Sequence, residues 1–260
     1  MKISLTSEDV QKFRNDGVLL VPNILEPSII AKILARIPSM LKGEYATGIK
    51  PAEIKIDPTN TQQISGKLWE SEPEIKAVVL DPELGRACAI LGDWEQYGSK
   101  AVHSSLWRKP PGAPETTIHQ DAAYVDTFIP NKLITALIAL ENMTIEAGST
   151  QYILGSHKWG LGRRVRSLRE SEDYTAEAKT AAREAGVGNF EIFTTNVESG
   201  TIVFHDGLLW HGAGRNNSQQ QRVALSCAIM PANIKTVSVD DPYVFGEASE
   251  YPFTWQGKLI

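Results

Sequence analysis

Cysteine is scarce. The 260-residue chain holds only Cys88 and Cys227, far apart, with no CxxC and no Cys/His pairing at zinc-finger spacing. Neither a disulfide scaffold nor a structural zinc site is expected, and a reducing, cytoplasmic setting fits. Basic charge is short as well: 26 Lys+Arg against 31 Asp+Glu give −5, which argues against a nucleic-acid partner. No apolar run reaches the ~18 residues of a membrane span. The start, Met1-Lys2-Ile3-Ser4-Leu5-Thr6, lacks an apolar leader stretch, and Lys258-Leu259-Ile260 is no peroxisomal address. Repeats and low-complexity tracts are missing too. What remains, 42% hydrophobic and 22% charged residues, is an ordinary globular composition. It suffices for one large barrel or sandwich, or for two small domains.

Texture changes along the chain. Residues 1–98 read as mainly helical: Ser7 can cap a helix that Gly17 ends before the run Val18-Leu19-Leu20-Val21. A second helix fits 27–40, with Ile29, Ile30, Ile33, Leu34 and Ile37 at helical spacing. A further pair starts at Ser71/Pro73 and Asp81/Pro82 and stops at Gly92. From about residue 99 to 235 short runs rich in branched side chains predict strands at 102–107, 133–140, 150–153, 190–197, 201–205 and 223–230. Six or more such strands suggest a barrel or sandwich. Between them, 155–188 carries Arg163, Arg164, Arg166 and Arg169 and a helical stretch from Glu172 to Lys179. An insertion of this length reads as a lid or binding loop. Its arginines read first as a solvated face, and second as an attractor of an anionic substrate. Residues 236–260 form a C-terminal tail.

The chemistry-bearing feature is Thr117-Ile118-His119-Gln120-Asp121. On extended backbone His119 and Asp121 project to one side, so two ligands can converge. Alone, the pair reads first as a hydrogen-bonded strand-end couple. A third element, His211 in Trp210-His211-Gly212-Ala213-Gly214, completes a possible set of two histidines and one carboxylate. That set suits non-haem Fe(II) with open positions, although zinc accepts similar ligands. Arg222, eleven residues on, leads into the apolar run Val223-Ala224-Leu225. Its fork needs an anionic partner: either a surface carboxylate or a bound dicarboxylate.

Taken together, Asp16-Gly17, His119-Gln120-Asp121, Ala147-Gly148-Ser149 running into Gly155-Ser156-His157, and His211 with Asn216 and Arg222 resemble the phytanoyl-CoA dioxygenase-like family of Fe(II)/2-oxoglutarate-dependent oxygenases. The resemblance covers nearly the whole chain. It implies a mainly β fold with flanking α-helices: a double-stranded β-helix, the jelly-roll or cupin-like core, in a single catalytic domain. It makes His119, Asp121 and His211 the iron ligands and Arg222 the partner of the far carboxylate of 2-oxoglutarate. The reaction implied is oxidation of a small-molecule substrate by O2 with release of succinate and CO2, most simply a hydroxylation. Desaturation, epimerisation and cyclisation share the same ligands.

One departure is visible. Family members often carry a serine two residues after the distal histidine, where this chain has Ala213. Thr135, the polar residue within the run 133–140, and Ser104 are the candidate substitutes, with a bond to backbone as the alternative for Thr135. His103, His157 and His205 are expected to satisfy core or loop hydrogen bonds, His205 with a possible orienting role. Lys109 lies where a cation can meet co-substrate or substrate. Tyr124, Val125 and Phe128 are candidate apolar pocket walls, as are Trp107, Trp159 and Trp210. Asp121 also disfavours halogenation, which in related enzymes requires a small residue there. The rival readings are a cupin-like metal-dependent isomerase or hydrolase, and a non-catalytic jelly-roll binding protein.

Overall fold

The computed structural model describes residues 1–169, 172–238 and 246–258. Parts of the expected insertion (170–171) and tail (239–245, 259–260) lie outside them. Helix α1 (Ser7–Asp16) starts at a capping box one residue earlier than expected: the Thr6 hydroxyl accepts the Asp9 N–H and the Asp9 carboxylate accepts the Thr6 N–H. Gly17, at φ 79°, ends the helix in the left-handed region. There the chain enters β1 (Val18–Val21). Pro27 opens α2 (Pro27–Met40), which buries Ile30, Ile33, Ile37 and Met40.

Two strands then interrupt the region expected to be mainly helical, β2 (Glu53–Lys55) and β3 (Gln62–Gly66). They are followed by α3 (Leu68–Ser71), α4 (Pro73–Val79) and α5 (Pro82–Gly92). The β region continues with β4 (Ser99–Lys109), β5 (Thr116–His119), β6 (Phe128–Ile129), β7 (Ile134–Ala139) and β8 (Thr150–Tyr152). Helix α6 (Ala176–Glu184) starts later than Glu172 because the Asp173 carboxylate accepts from the Thr175 N–H and hydroxyl, turning the chain first. The strand expected at 190–197 shrinks to β9 (Phe193–Thr194). Then come β10 (Ile202–Asp206), β11 (His211–Ala213), β12 (Arg222–Pro231), β13 (Lys235–Thr236) and β14 (Phe253–Trp255).

The strands form a long antiparallel sheet ordered β1-β10-β7-β12-β4-β3-β2, with β14 also on β4, a short sheet ordered β5-β11-β8-β9, and a separate β13-β6 pair. Side-chain alternation gives the long sheet two distinct faces. Ile134, Ala136 and Ile138 of β7, with Val223, Leu225, Cys227 and Ile229 of β12, join one apolar core with residues of α1, α2, α4 and α5. The intervening residues face the short sheet across the interior, where Leu137, Ala139, Val203 and Ala224 pack with Tyr152. This is the jelly-roll arrangement expected, mainly β with helices on one flank.

A joint fastens α1 to the loop at 155–158. The last four carbonyls of the helix all find donors. Phe13 accepts from Gly17 N–H at 2.7 Å, Arg14 from His157 Nε2 at 3.2 Å, Asn15 from Lys158 Nζ at 2.8 Å and Asp16 from Gly155 N–H at 2.8 Å. The same loop reaches the short sheet, since the Ser156 hydroxyl accepts the Trp210 N–H at 3.0 Å.

Candidate active site

His119 closes β5, Asp121 opens the tight turn Asp121–Tyr124, and His211 opens β11 directly opposite His119. The register brings the two imidazoles to 4.4 Å between ring centroids. Each ring is oriented by its own strand: His119 Nδ1–H donates to Thr117 O at 2.8 Å and His211 Nδ1–H to Leu209 O at 2.9 Å. A carbonyl can only accept, so in the neutral ring the proton sits on Nδ1 and Nε2 keeps its lone pair. The two Nε2 atoms lie 3.5 and 3.7 Å from Asp121 Oδ1. The three groups can offer ligand atoms all within 4.8 Å of one another. Donors ~2.0–2.2 Å from one ion at octahedral to tetrahedral angles lie about 3–3.6 Å apart, so the 3.5 and 3.7 Å separations need only a small contraction to hold one ion.

Protonation favours the same use. Burial pushes the His211 imidazole well below its ordinary value, reinforced by His205. Burial alone raises the Asp121 carboxyl, but His211, His119 and His205 outweigh it and hold it well below the usual carboxylate range. The site therefore offers a neutral His211 nitrogen and an ionised Asp121 oxygen.

Asp121 Oδ2 faces the long sheet. The Thr135 hydroxyl donates to it at 2.6 Å, and His205 Nε2 lies 3.2 Å from it. Thr135 thus engages the Asp121 carboxylate from within the lining of the cavity that Arg222 also borders. Ser104 needs a correction. His103, Ser105 and Trp107 of β4 line the cavity, so Ser104 falls on the other face of the strand. There its hydroxyl donates to Gly66 O and accepts the Leu68 N–H, both at 3.1 Å.

Arg222 lies in the wall of the same cavity as the three candidate ligands. Its Nη2 donates to Gly148 O at 2.9 Å, while its buried Nε has no hydrogen-bond partner among the described residues. Among the described residues it forms no ion pair, and burial pushes the guanidinium down to about 10. A buried cation with an unused donor is the feature a carboxylate would complete. Beside it, Ala213 is flanked in register by Thr116 of β5 and Thr150 of β8, both in the cavity wall. Sequence reasoning missed these threonines because their adjacency to Ala213 is created by strand pairing.

Lys109 pairs with Arg222 across the strands but stays out of the cavity lining, its Nζ donating to Pro114 O at 2.5 Å. Burial, then Arg222, pushes its ammonium down to about 7 from 10.5. Between these values the unfolded chain binds more protons than the folded one, so this residue makes stability rise with pH from about 7 to about 10. Lys109→Met is expected to flatten the melting temperature over that window relative to wild type. An unchanged slope in thermal melts at pH 7, 8, 9 and 10 would show that Lys109 is not the titrating group.

The outer cavity is formed by Trp107, Tyr124, Val125, Leu133 and Leu168 with Thr61, Gln63, Ser105 and Ser226. His103 also lines it, and burial pushes its imidazole down to about 4. Phe128 instead stacks edge-on with Tyr251 in the core. Trp159 and Trp210 pack around Ile118, Ile153 and Val165. The arginines of the 155–188 segment reach protein groups: Arg164 donates to Ala123 O and Asp126, Arg169 to Thr61 O and Gln63 Oε1. Arg163 and Arg166 are exposed. The segment is strapped along β5, where Thr117 N–H donates to Leu168 O and Ile118 N–H to Tyr174 O. Gln120 pins its start, accepting from Gly162 N–H at 2.7 Å and donating to Gly160 O at 2.9 Å.

Comparison with known proteins places the chain among its relatives. The profile of the family Phytanoyl-CoA dioxygenase (PhyH) matches residues 13–224. The peroxisomal phytanoyl-CoA dioxygenase of Bos taurus is 26% identical over 253 residues, covering 91% of this chain and 72% of the relative. The Fe(II)/2-oxoglutarate-dependent dioxygenase nvfF of Aspergillus novofumigatus is 26% identical over 250 residues, covering 86% and 74%. Among solved structures, the epimerase SnoN in complex with Fe3+, alpha ketoglutarate and nogalamycin RO superposes with a TM-score of 0.72 at 18% identity, covering 90% and 86%. The profile match spans most of the sequence and includes the His119, Asp121, His211 and Arg222 positions, so the chain belongs to the phytanoyl-CoA dioxygenase family.

Proposed function

We propose that the chain is a non-haem Fe(II)- and 2-oxoglutarate-dependent dioxygenase in which His119, Asp121 and His211 hold the iron and Arg222 holds the far carboxylate of 2-oxoglutarate. The observation that carries this reading is one cavity containing both a convergent His/Asp/His set and a buried guanidinium with an unused donor. A metal-dependent isomerase leaves Arg222 without a partner, and a binding protein has no need of either feature. Bound there, the iron and the oxo acid would supply the O2 activation for substrate oxidation, with succinate and CO2 as co-products.

The chain's own part is positioning. Strand carbonyls fix the two imidazole tautomers, Asp121 supplies the negative charge, and Thr116 and Thr150 stand where the absent serine hydroxyl would be. Apolar walls and the strap over β5 exclude water from the reacting centre. The outer cavity supports an uncharged, largely apolar small-molecule substrate. Its lining offers aromatic and aliphatic surface with amide and hydroxyl groups, while Arg164 and Arg169 are hydrogen-bonded to the protein. The same residues serve hydroxylation, which we favour, and desaturation, epimerisation or cyclisation. Free, buried Cys88 and Cys227 fit a cytoplasmic enzyme, and no helix among the described residues is long and apolar enough to cross a membrane.

Anaerobic titration with Fe(II) and 2-oxoglutarate tests the proposal. A weak visible charge-transfer band is expected in wild type and lost in His119→Ala and in Arg222→Ala. Further perturbation by neutral apolar compounds, and not by their carboxylate counterparts, is expected from the lining. Absence of the band in metal-loaded wild-type protein overturns the oxygenase reading.

A further inference from the structure

We propose that Thr135 and His205 form a clamp that makes Asp121 a one-oxygen metal ligand. Both are positioning residues, and the proposal rests on the metal-site reading above. They are cross-strand neighbours in the long sheet, His205 on β10 opposite Thr135 on β7. From there they meet, across the interior, the carboxylate carried by the turn that follows the short sheet's β5. Thr135 O–H donates to Asp121 Oδ2 at 2.6 Å, and His205 Nε2 stands 3.2 Å from the same oxygen.

The direction of the second bond follows from its partners. An ionised carboxylate only accepts, so Nε2 of His205 carries the proton and donates. In the neutral ring Nδ1 is then an acceptor, and the Tyr152 phenol lies 3.3 Å from it. A phenol carries an O–H and can donate it. Tyr152 thereby fixes the His205 tautomer, as Thr117 O and Leu209 O fix those of His119 and His211.

Oδ2 thus receives two hydrogen bonds from one side, while Oδ1 is left facing the Nε2 atoms of both candidate ligand histidines at 3.5 and 3.7 Å. An oxygen already accepting two donors is a poor second metal ligand, so the carboxylate binds through Oδ1 alone. Without the clamp Oδ2 is free to rotate inward and take a coordination position that the co-substrate requires. In this chain Thr135 therefore governs the ligand carboxylate.

Co(II) titration of the metal-free full-length protein, without 2-oxoglutarate or substrate, tests the clamp. Thr135→Val, of the same shape but lacking the hydroxyl, and His205→Phe are each expected to weaken Co(II) binding ~10–100-fold. The visible Co(II) spectrum is expected to change as the second carboxylate oxygen coordinates. Thr135→Ser is expected to restore both affinity and spectrum, which a packing role alone does not allow. If His205→Phe fails to fold, the Thr135 pair decides. Wild-type affinity and spectrum in Thr135→Val, or equal loss in Thr135→Ser, overturns the clamp and leaves the metal site standing. Wild-type binding no stronger than that of His119→Ala overturns the site and the clamp together.

Discussion

Asp121→Ala is expected to abolish Fe(II) and Co(II) binding at micromolar metal and to lower the rate of 2-oxoglutarate decarboxylation by at least ~10³-fold, the several kcal/mol that a lost catalytic metal represents. Asp121 Oδ1 is the ionised donor facing the Nε2 atoms of both histidines. Alanine leaves those nitrogens without the third point of the triangle, and strands the Thr135 hydroxyl and the His205 N–H without their acceptor. The variant should therefore lose some stability, about 1–3 kcal/mol for stranded buried donors. Metal titration by calorimetry, with a thermal melt as the folding control, reads both effects. A folded Asp121→Ala protein that binds Fe(II) like wild type would remove Asp121 from the ligand set.

Arg222→Met separates affinity from stability. Truncating one side of a buried, hydrogen-bonded charge pair typically costs 2–5 kcal/mol of binding, so the dissociation constant for 2-oxoglutarate should rise from ~30-fold to a few thousand-fold. Metal binding should persist, because Arg222 is not part of the His119/Asp121/His211 cluster. The ligand-free protein, by contrast, should melt no lower than wild type. Its buried guanidinium has an unused Nε and no ion pair among the described residues, so an apolar side chain of similar length removes a desolvation penalty. The lost bond to Gly148 O offsets only about 1 kcal/mol of that gain. A variant that melts much lower yet binds 2-oxoglutarate normally would make Arg222 a structural residue.

Much of this site is local in sequence, which is why it can be read there. His119 and Asp121 are two residues apart at a strand end, His211 opens a strand, and Arg222 leads the next one. Helix α2 runs over the expected 27–40 because Pro27 and the isoleucine spacing are both local signals. What stays hidden depends on pairing. The polar segment Gln62–Gly66 shows no apolar alternation, yet it is buried throughout as a partner of β4. Ser104 and Ser105 are equivalent as letters, and only the register decides that Ser105 faces the cavity while Ser104 faces Leu68. The arginines of the insertion suggest a ligand because three of their partners, Ala123 O, Thr61 O and Gln63, lie roughly 40 to 110 positions upstream. Thr135 was recognisable as a buried hydroxyl needing a partner, but that partner lies on the facing side of the molecule.

The joint between α1 and the 155–158 loop changes what the family's signature means. Gly17 and His157 are separated by 140 positions, yet a Cβ at Gly17 would stand 2.5 Å from His157 Nδ1. The two motifs are halves of one contact surface, which excludes any larger residue at 17. Ser156 carries that contact on to Trp210, the residue before His211. Residues that touch neither metal nor substrate thus share a load path with a candidate ligand. Half of the pattern by which the chain is recognised describes how its helix is bolted to the barrel, and engineering the outer cavity can leave that half untouched.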